Sequence, residues 1–215
     1  QYGTEFRSPM NHTPLMQAAL AGNLPLLEAL IERGADLDAA DDYGQTALHL
    51  AIQRSARDQD YARRTFAPIY ARVAPAVFDV QCGGRLVRLD RHQPEYQLLQ
   101  WMWALAAQAW TLSQAHATGF DAAWLLGCWE AVPDSVVPAT RKRRQYLSSV
   151  LSRNEAGRDY AWNRRLFARL RHGYYWLAAD LAVRVREAGE ERWMDHRERL
   201  GMRLLLDTAA DRTAP

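Results

Sequence analysis

The sequence predicts a mainly α-helical chain with a small β-hairpin and a C-terminal α+β unit. Three observations predict this class: a motif that recurs after 33 residues, a long apolar run around Trp101, and two alternating segments around Gly83. With 215 residues, 48% of them hydrophobic, the chain is large enough for one large domain or two small ones. The chain is predicted to divide into residues 1–9, 10–75, 76–118, 119–187 and 188–215. The last of these segments is predicted to be a helix followed by a tail.

The first nine residues resemble a vector-derived tail. Gly3-Thr4, Glu5-Phe6 and Arg7-Ser8 read like translated restriction sites, and the chain begins with Gln1. Such a tail is excluded from fold reasoning. We therefore predict that native sequence begins by Met10, and it stays open whether Met10 is a start or an internal position.

A short motif recurs with a period of 33 residues near the N-terminus. Residues 13–19 read Thr-Pro-Leu-Met-Gln-Ala-Ala, and residues 46–52 read Thr-Ala-Leu-His-Leu-Ala-Ile. The threonine of each copy can cap a helix, and Gly34 can supply a left-handed helix end. The period and the motif resemble those of ankyrin repeat proteins, with two repeats over residues 11–67. The resemblance implies a helical array with a face that binds a partner protein.

The second unit departs from the ankyrin pattern after its first helix, because Ser55 and Ala67 stand where the repeat expects glycine. About three repeats are usually needed to bury a solenoid core. We therefore expect a helix over residues 58–74 to cap the array or to join it to the next layer. The resemblance also implies that His49 bonds to backbone and has no catalytic role.

The middle of the chain predicts a hairpin followed by a long helix. Residues 77–81 and 85–89 alternate with period two around Cys82-Gly83-Gly84, which is typical of a hairpin with a glycine turn. A tryptophan-rich helix is predicted over residues 94–118, and a short apolar helix over residues 120–130. We expect the tryptophans of this region to pack in a core rather than to form an aromatic ligand box: Trp101, Trp103, Trp110, Trp124 and Trp129.

The charge of the chain is unevenly distributed. The formal net charge is only +2, yet residues 141–186 carry +9, whereas residues 1–90, 91–140 and 187–215 carry −2, −3 and −2. A concentrated positive segment is typical of a module that binds a polyanion. The chain has 26 arginines and one lysine, a bias typical of a GC-rich, bacterial-like genome. That bias would spread arginines evenly, so it does not explain the clustering.

The basic segment also has a characteristic order of predicted elements. Residues 141–152 and 160–171 predict two helices, and residues 174–177 and 181–186 predict two short strands. The apolar side of the second helix is predicted to carry Trp162, Leu166, Phe167 and Leu170. This order resembles a winged-helix DNA-binding domain over residues 120–187. The resemblance implies that the helix 160–171 enters the major groove of DNA. It also implies a set of residues that contact DNA: Arg141, Arg143, Arg144, Asn163, Arg164, Arg165, Arg169, Arg184 and Arg186.

Other interpretations of the basic segment stay open. Its arginines can form a solvated face or pair with acidic residues such as Glu187, Glu190 and Glu191. In an adaptor subunit of a larger assembly, the winged-helix-like unit would bind only protein. A further alternative is an effector whose enzyme domain lies outside this sequence.

The sequence lacks recognisable catalytic and metal-binding motifs. There is no phosphate-binding Gly-Lys-[Ser/Thr], no Gly-x-Ser-x-Gly and no His-Glu-x-x-His. Cys82 and Cys128 are too few for a disulfide framework and fit a reducing compartment. The apolar run over residues 96–112 contains three glutamines, which favours a buried helix over a membrane span. We therefore predict a cytoplasmic, non-enzymatic regulator that binds protein and DNA, has no cofactor and contacts no membrane.

Overall fold

The computed structural model describes residues 3–111, 119–187 and 190–200. The helices of these residues are α1 (Pro14–Ala21), α2 (Leu24–Glu32), α3 (Ala47–Arg57), α4 (Gln59–Arg64), α5 (Phe66–Val73), α6 (Pro94–Thr111), α7 (Ala122–Trp129), α8 (Arg144–Arg153) and α9 (His196–Arg199), with a 3-10 turn at Ala139–Arg141. The strands are β1 (Val77–Cys82), β2 (Arg85–Asp90), β3 (Phe120–Asp121), β4 (Phe167–Arg171), β5 (Tyr174–Leu177), β6 (Leu181–Glu187) and β7 (Glu190–Asp195).

The first repeat folds as its motif predicts. The hydroxyl of Thr13 accepts a hydrogen bond from the backbone N–H of Met16 at 3.2 Å and so caps α1. Gly34 has a φ of 79° and lies directly after α2 in the left-handed region. The N–H of Ala35 then donates to the carbonyl of Leu30 at 3.0 Å, which satisfies one of the last carbonyls of the helix.

The array continues beyond the second motif. Two helices, α4 and α5, lie where a single helix over residues 58–74 is predicted, and the break between them is at Thr65. Helix α3 packs against α1 and α5, and α5 also packs against α2. Helix α6 packs against α3 much as α3 packs against α1, so it forms a third inner layer. The array thereby gains the additional packing that two repeats lack.

The predicted hairpin is present as β1 and β2 and belongs to a larger sheet. The two strands pair antiparallel from Val77 opposite Asp90 to Cys82 opposite Arg85. Strand β1 also pairs with β6, and β6 pairs with β7, which gives the order β2-β1-β6-β7. This sheet therefore joins the hairpin that precedes α6 to strands from the C-terminal part of the chain.

A second, smaller sheet is formed by three short strands of the C-terminal part. Its strand order is β3-β5-β4, and both pairs are antiparallel. The helix predicted over residues 120–130 begins two residues later than expected, because Phe120 and Asp121 form β3. The side chain of Asp121 then caps α7 by accepting hydrogen bonds from the N–H groups of Ala123 and Trp124.

The prediction of a helix over residues 160–171 is wrong. Residues 160–166 form turns and irregular backbone, and residues 167–171 form β4. Arg165 has a φ of 57°, a left-handed conformation that is incompatible with a continuous right-handed helix. Strands β5 and β6 are present where strands are predicted, but they lie in different sheets and form no wing. The winged-helix arrangement is therefore not confirmed, although α8 matches the first predicted helix of the segment.

One hydrophobic core connects the helical array with the C-terminal strands. Trp101 of α6 lies edge to face with Phe66 of α5, with ring centroids 5.7 Å apart. Trp124 is 48% exposed, and the side chain of Trp110 lies outside the described residues. The remaining tryptophans of the predicted core are buried: Trp101, Trp103 and Trp129.

Candidate functional site

The turns that precede α1 and α3 are bonded to each other. Asn11 donates a side-chain hydrogen bond to Asp42 at 2.8 Å, and Arg7 donates to the carbonyl of Ala40 at 3.0 Å. Asn11 has a φ of 59°, which places it in the left-handed region that asparagine tolerates better than most residues. The two turns therefore form one connected surface at the end of the helical array.

Asp41 organises the second turn from inside. Its side chain is 1% exposed, and its Oδ1 accepts hydrogen bonds from the N–H groups of Tyr43 and Gln45 at 2.9 and 2.8 Å. Its Oδ2 lies 3.5 Å from Nε2 of His12 in the first turn. Burial raises the pKa of Asp41, although the two backbone hydrogen bonds and His12 act in the opposite direction. The polar groups of this network thus face inward.

Apolar side chains project outward from the same turns. Met10, Leu37 and Tyr43 are exposed by 64%, 37% and 38%. Exposed methionine and tyrosine on a preformed surface are typical of protein interfaces. We call these three residues, together with the turns 10–12 and 36–45, the turn surface.

His49 joins the second turn to α6. The N–H of Thr46 donates to Nδ1 of His49 at 3.1 Å, so Nε2 carries the proton and donates to Oε1 of Gln100 at 2.8 Å. The motif histidine therefore bonds to backbone, as the ankyrin resemblance implies. Complete burial, with a smaller contribution from Arg199, lowers the pKa of His49 to about 4 against the opposing effect of Gln100. A neutral, doubly bonded imidazole provides a structural link.

A cavity of about 480 Å³ adjoins His49 between the second turn, α6 and the four-stranded sheet. Among its lining residues, Gln100 has an amide nitrogen without a hydrogen-bond partner in the described structure. Arg184 is paired with two carboxylates of the wall, because it lies 3.5 Å from Asp79 and 3.3 Å from Glu191. The wall also contains the carboxylates of Asp36 and Asp38, for which the described structure shows no ion pair. The cavity therefore has a polar wall whose charges are only partly neutralised.

The described part of the chain has two protonated thiols and neither a metal-ligand cluster nor a membrane-length apolar helix. Burial raises the pKa of the Cys82 thiol to about 12 and that of the Cys128 thiol to about 11, so neither is an activated nucleophile at neutral pH. The described residues contain no group of three or more His, Cys, Asp or Glu that could hold a metal ion. None of the described helices has both the length and the hydropathy of a membrane span.

Two of the arginines predicted to contact DNA anchor the basic segment to the start of α6. Arg141 donates to Oε1 of Gln97 at 3.0 Å and to the carbonyl of His92 at 2.6 Å. Arg164 donates to Oε1 of Gln93 at 2.6 Å. Both guanidinium groups are therefore engaged with protein acceptors.

Two more of these arginines pair with carboxylates. Arg169 lies 3.0 Å from Glu155, and Arg184 lies within ion-pair distance of Asp79 and Glu191. Pairing with acidic residues outside the basic segment, one of the interpretations left open by the sequence, is therefore confirmed for Arg184. Its partner Glu191 is one of the acidic residues named for that interpretation.

Three of the predicted residues are exposed and unpaired. Arg143 and Arg144 lie at the start of α8, and Arg165 lies shortly before β4. Within the described ranges the structure shows no side-chain hydrogen bond or ion pair for any of them. The side chain of Arg186 lies outside the described residues. These exposed arginines are the ones that a polyanion could contact.

Asn163 has a structural role instead of the predicted contact with DNA. It is 4% exposed and lies in the segment between α8 and β4. Its amide nitrogen donates to the carbonyls of Glu155 and Arg158 at 2.6 and 2.8 Å, and its Oδ1 accepts from the N–H of Arg165 at 2.7 Å. The side chain thus bonds to backbone groups on both sides of it and stabilises the irregular backbone that replaces the predicted helix.

The segment around Asn163 is a closed loop. The N–H of Phe167 donates to the carbonyl of Asn154 at 3.0 Å, and the N–H of Ala156 donates to the carbonyl of Phe167 at 2.7 Å. Residues 154–167 therefore form a compact loop whose ends meet, which we call the α8–β4 loop. Trp162, expected on the apolar side of a helix, is 83% exposed on this loop. The polar break before Tyr160 is the sequence signal that could have indicated it.

Comparison with known families supports the assignment of the N-terminal part. Residues 2–63 match the family model described as ankyrin repeats (3 copies). The N-terminal part of this chain is therefore an ankyrin repeat array, as its motif predicts.

Two curated relatives share similarity with the chain over 79 residues. Transcription factor MBP1 of Saccharomyces cerevisiae is 35% identical, and transcription factor MBP1 of Kluyveromyces lactis is 32% identical. The match covers 37% of this chain but only 9% and 10% of these relatives, so the chain spans about a tenth of their length. No solved structure matches the chain.

Proposed function

We propose that this chain is a cytoplasmic, non-enzymatic regulator that binds a partner protein through the turn surface. The observation that carries this proposal is the apolar outward side of two turns that are bonded to each other over a buried aspartate. The ankyrin match and the similarity to two transcription factors support a regulatory protein that works by protein contact.

The construction of the turns explains why this surface suits a partner. The bonds between Asn11 and Asp42 and within the Asp41 network fix the backbone before binding. A preformed surface loses less conformational entropy on association than a flexible one. Tyr43 and Met10 then supply the exposed aromatic and flexible apolar contacts that contribute strongly at interfaces.

Site-specific crosslinking tests this proposal. A photoreactive phenylalanine analogue replaces Tyr43 of the turn surface in one variant and Leu26 of α2 in another, because these side chains are similarly exposed at 38% and 44%. In extracts of the source organism we expect a defined crosslinked protein with the first variant and none with the second. Equal crosslinking at both positions, or none at Tyr43, would refute binding through the turn surface.

Nucleic-acid binding is a second candidate function, favoured by the exposed arginines at the start of α8. Without a recognition helix, we expect these arginines to contact phosphates rather than base edges, so binding would depend on salt and little on sequence. Fluorescence anisotropy of a random duplex at about 50 and 200 mM salt measures this dependence. Binding weakened in Arg143→Glu/Arg144→Glu but unchanged in the equally charged control Arg33→Glu/Arg64→Glu would support it, and equal behaviour of the two variants would refute it.

A further inference from the structure

Trp162 is the most exposed large apolar side chain in the described part of the chain. Its exposed fraction is 83%, and that of Tyr160 in the same loop is 49%. Keeping an indole ring in water forgoes the free energy that its burial would provide. Two exposed aromatic residues in one short loop are therefore candidates for contact with a ligand.

The loop holds the backbone around Trp162 from both sides. The N–H of Asn163 donates to the carbonyl of Tyr160 at 2.9 Å, and the carbonyl of Asn163 accepts from Arg85 of β2 at 2.9 Å. Together with the side-chain bonds of Asn163, these contacts fix the backbone on which the exposed indole is carried. The two exposed aromatic side chains are therefore carried on a hydrogen-bonded backbone, and we call Tyr160 and Trp162 the aromatic platform.

Arginines are frequent in this loop and directly before it. Arg153 ends α8 just before the loop, Arg158 and Arg165 lie within it, and all three are exposed. Arg165 has no side-chain partner within the described residues, whereas Arg158 lies 3.3 Å from Glu155. Glu155 is 14% exposed and also pairs with Arg169, so it adds little negative charge to the surface. Asp159 is the other acidic residue of the loop and is exposed, so arginines still outnumber acidic residues in the loop and at the end of α8.

We propose that the α8–β4 loop binds single-stranded nucleic acid, with Trp162 and Tyr160 stacking on unpaired bases and Arg153 and Arg165 contacting phosphates. A base in a duplex has both faces covered by its neighbours, so an aromatic side chain on a loop can stack only on a base that is unpaired. Stacking on the aromatic platform accounts for the proposed preference for single strands over duplex. The positive charge of the arginines is complementary to the negative charge of the phosphates. The inference rests on the second candidate function and narrows it to one form of nucleic acid.

Fluorescence anisotropy with a labelled mixed-sequence DNA oligonucleotide, single-stranded and as its duplex, tests the inference on the full chain. We expect Trp162→Ala to weaken single-strand binding by about 5- to 150-fold, because stacking on an aromatic side chain contributes that much per base. Arg165→Ala should reduce the slope of log affinity against log salt by about 0.7, the value for one lost single-strand phosphate contact. Leu26→Ala, which removes an apolar side chain that is 44% exposed on α2, is the matched control and should bind normally.

The outcomes separate this inference from the proposals on which it rests. Duplex and single strand bound equally, with no effect of Trp162→Ala but with the loss expected for Arg143→Glu/Arg144→Glu, would overturn the loop site and leave the second candidate function intact. Trp162-dependent binding of an acidic peptide, with no binding of the oligonucleotide, would overturn the inference in favour of a protein ligand. No binding at low salt would overturn both nucleic-acid proposals and leave the turn surface untouched.

Discussion

Replacing His49 by glutamine should remove the part of the pH dependence of the free energy of unfolding that comes from this histidine. His49 is completely buried and neutral, because burial lowers its pKa to about 4. In the unfolded chain the imidazole titrates near its ordinary value of 6.5. As the pH falls below 6.5, the unfolded state therefore binds a proton that the folded state excludes, and the free energy of unfolding decreases.

The size of this effect follows from the two pKa values. Between about pH 7 and pH 5, their separation predicts a loss of about 2 kcal/mol in the free energy of unfolding. Glutamine cannot be protonated, so this component should disappear in the variant, although the variant is less stable at every pH. Burial also lowers the pKa of His196 and raises that of Asp41, but both groups are present in wild type and variant. The difference between the two proteins therefore isolates His49.

Urea unfolding at about pH 7 and pH 5 measures this difference. We expect wild type to lose about 2 kcal/mol more than His49→Gln between these conditions. His92→Gln is the matched control, because it makes the same substitution at an exposed histidine. If His49→Gln retained the full wild-type pH dependence, the proposed neutral, buried link between the second turn and α6 would be wrong.

Two further predictions concern close packing and thiol burial. Gly44→Ala should lower the free energy of unfolding by about 2–4 kcal/mol, since Gly44 has a φ of 68° and a Cβ would lie 2.7 Å from the carbonyl oxygen of Arg199. Gly34→Ala should lose only about 1 kcal/mol, because a Cβ there meets nothing within 4 Å; equal losses in urea unfolding would contradict the contact with α9. Cys82 is buried, and burial raises its thiol pKa to about 12, so it should resist iodoacetamide when native and react in urea; rapid native labelling of Cys82 would contradict its burial. Cys128 is only partly buried, and its thiol pKa is raised to about 11, so it should react slowly when native.

Local signals in the sequence predicted the N-terminal fold well. The cap at Thr13 and the left-handed residue at Gly34 each depend on contacts within a few positions along the chain. The same is true of the hairpin, whose turn glycines both have positive φ values. Such contacts are encoded next to each other, so a motif of seven residues is enough to predict them.

Pairing between distant strands could not be predicted in the same way. Alternation along residues 181–186 correctly predicts a strand, but not its partner. Val183 pairs with Val80 of β1, whereas the neighbouring strand β5 pairs with β3 and β4. Period-two patterning predicts which side chains of a strand share a face, but it does not predict which strand will be its partner in the sheet. The predicted wing failed for this reason.

The helix predicted over residues 160–171 failed because its spacing was ambiguous. Leu166 and Phe167 are both fully buried, whereas Trp162 and Leu170, predicted on the same face, are exposed. A short apolar run fits a strand entry as well as a helix. The side chain of Asn163 bonds to three backbone groups of the loop and so stabilises the non-helical conformation. The winged-helix resemblance assigned this residue to contact with DNA, whereas the structure shows it inside the loop.

The positive charge of residues 141–186 is only partly neutralised within the fold. The segment holds three acidic residues against twelve basic ones, so further pairing has to come from outside it. Asp134 supplies such a pair for Lys142, and Asp79 supplies one for Arg184. Arg171 of β4 is exposed, and its guanidinium lies over the ring of Tyr174. The other exposed arginines of the segment without an ion pair in the described structure lie at the two ends of α8 and in the loop that follows it: Arg143, Arg144, Arg153 and Arg165. Because these charges are concentrated around one short helix and the exposed aromatic residues of its loop, a polyanion with unpaired bases is the ligand that would engage both features.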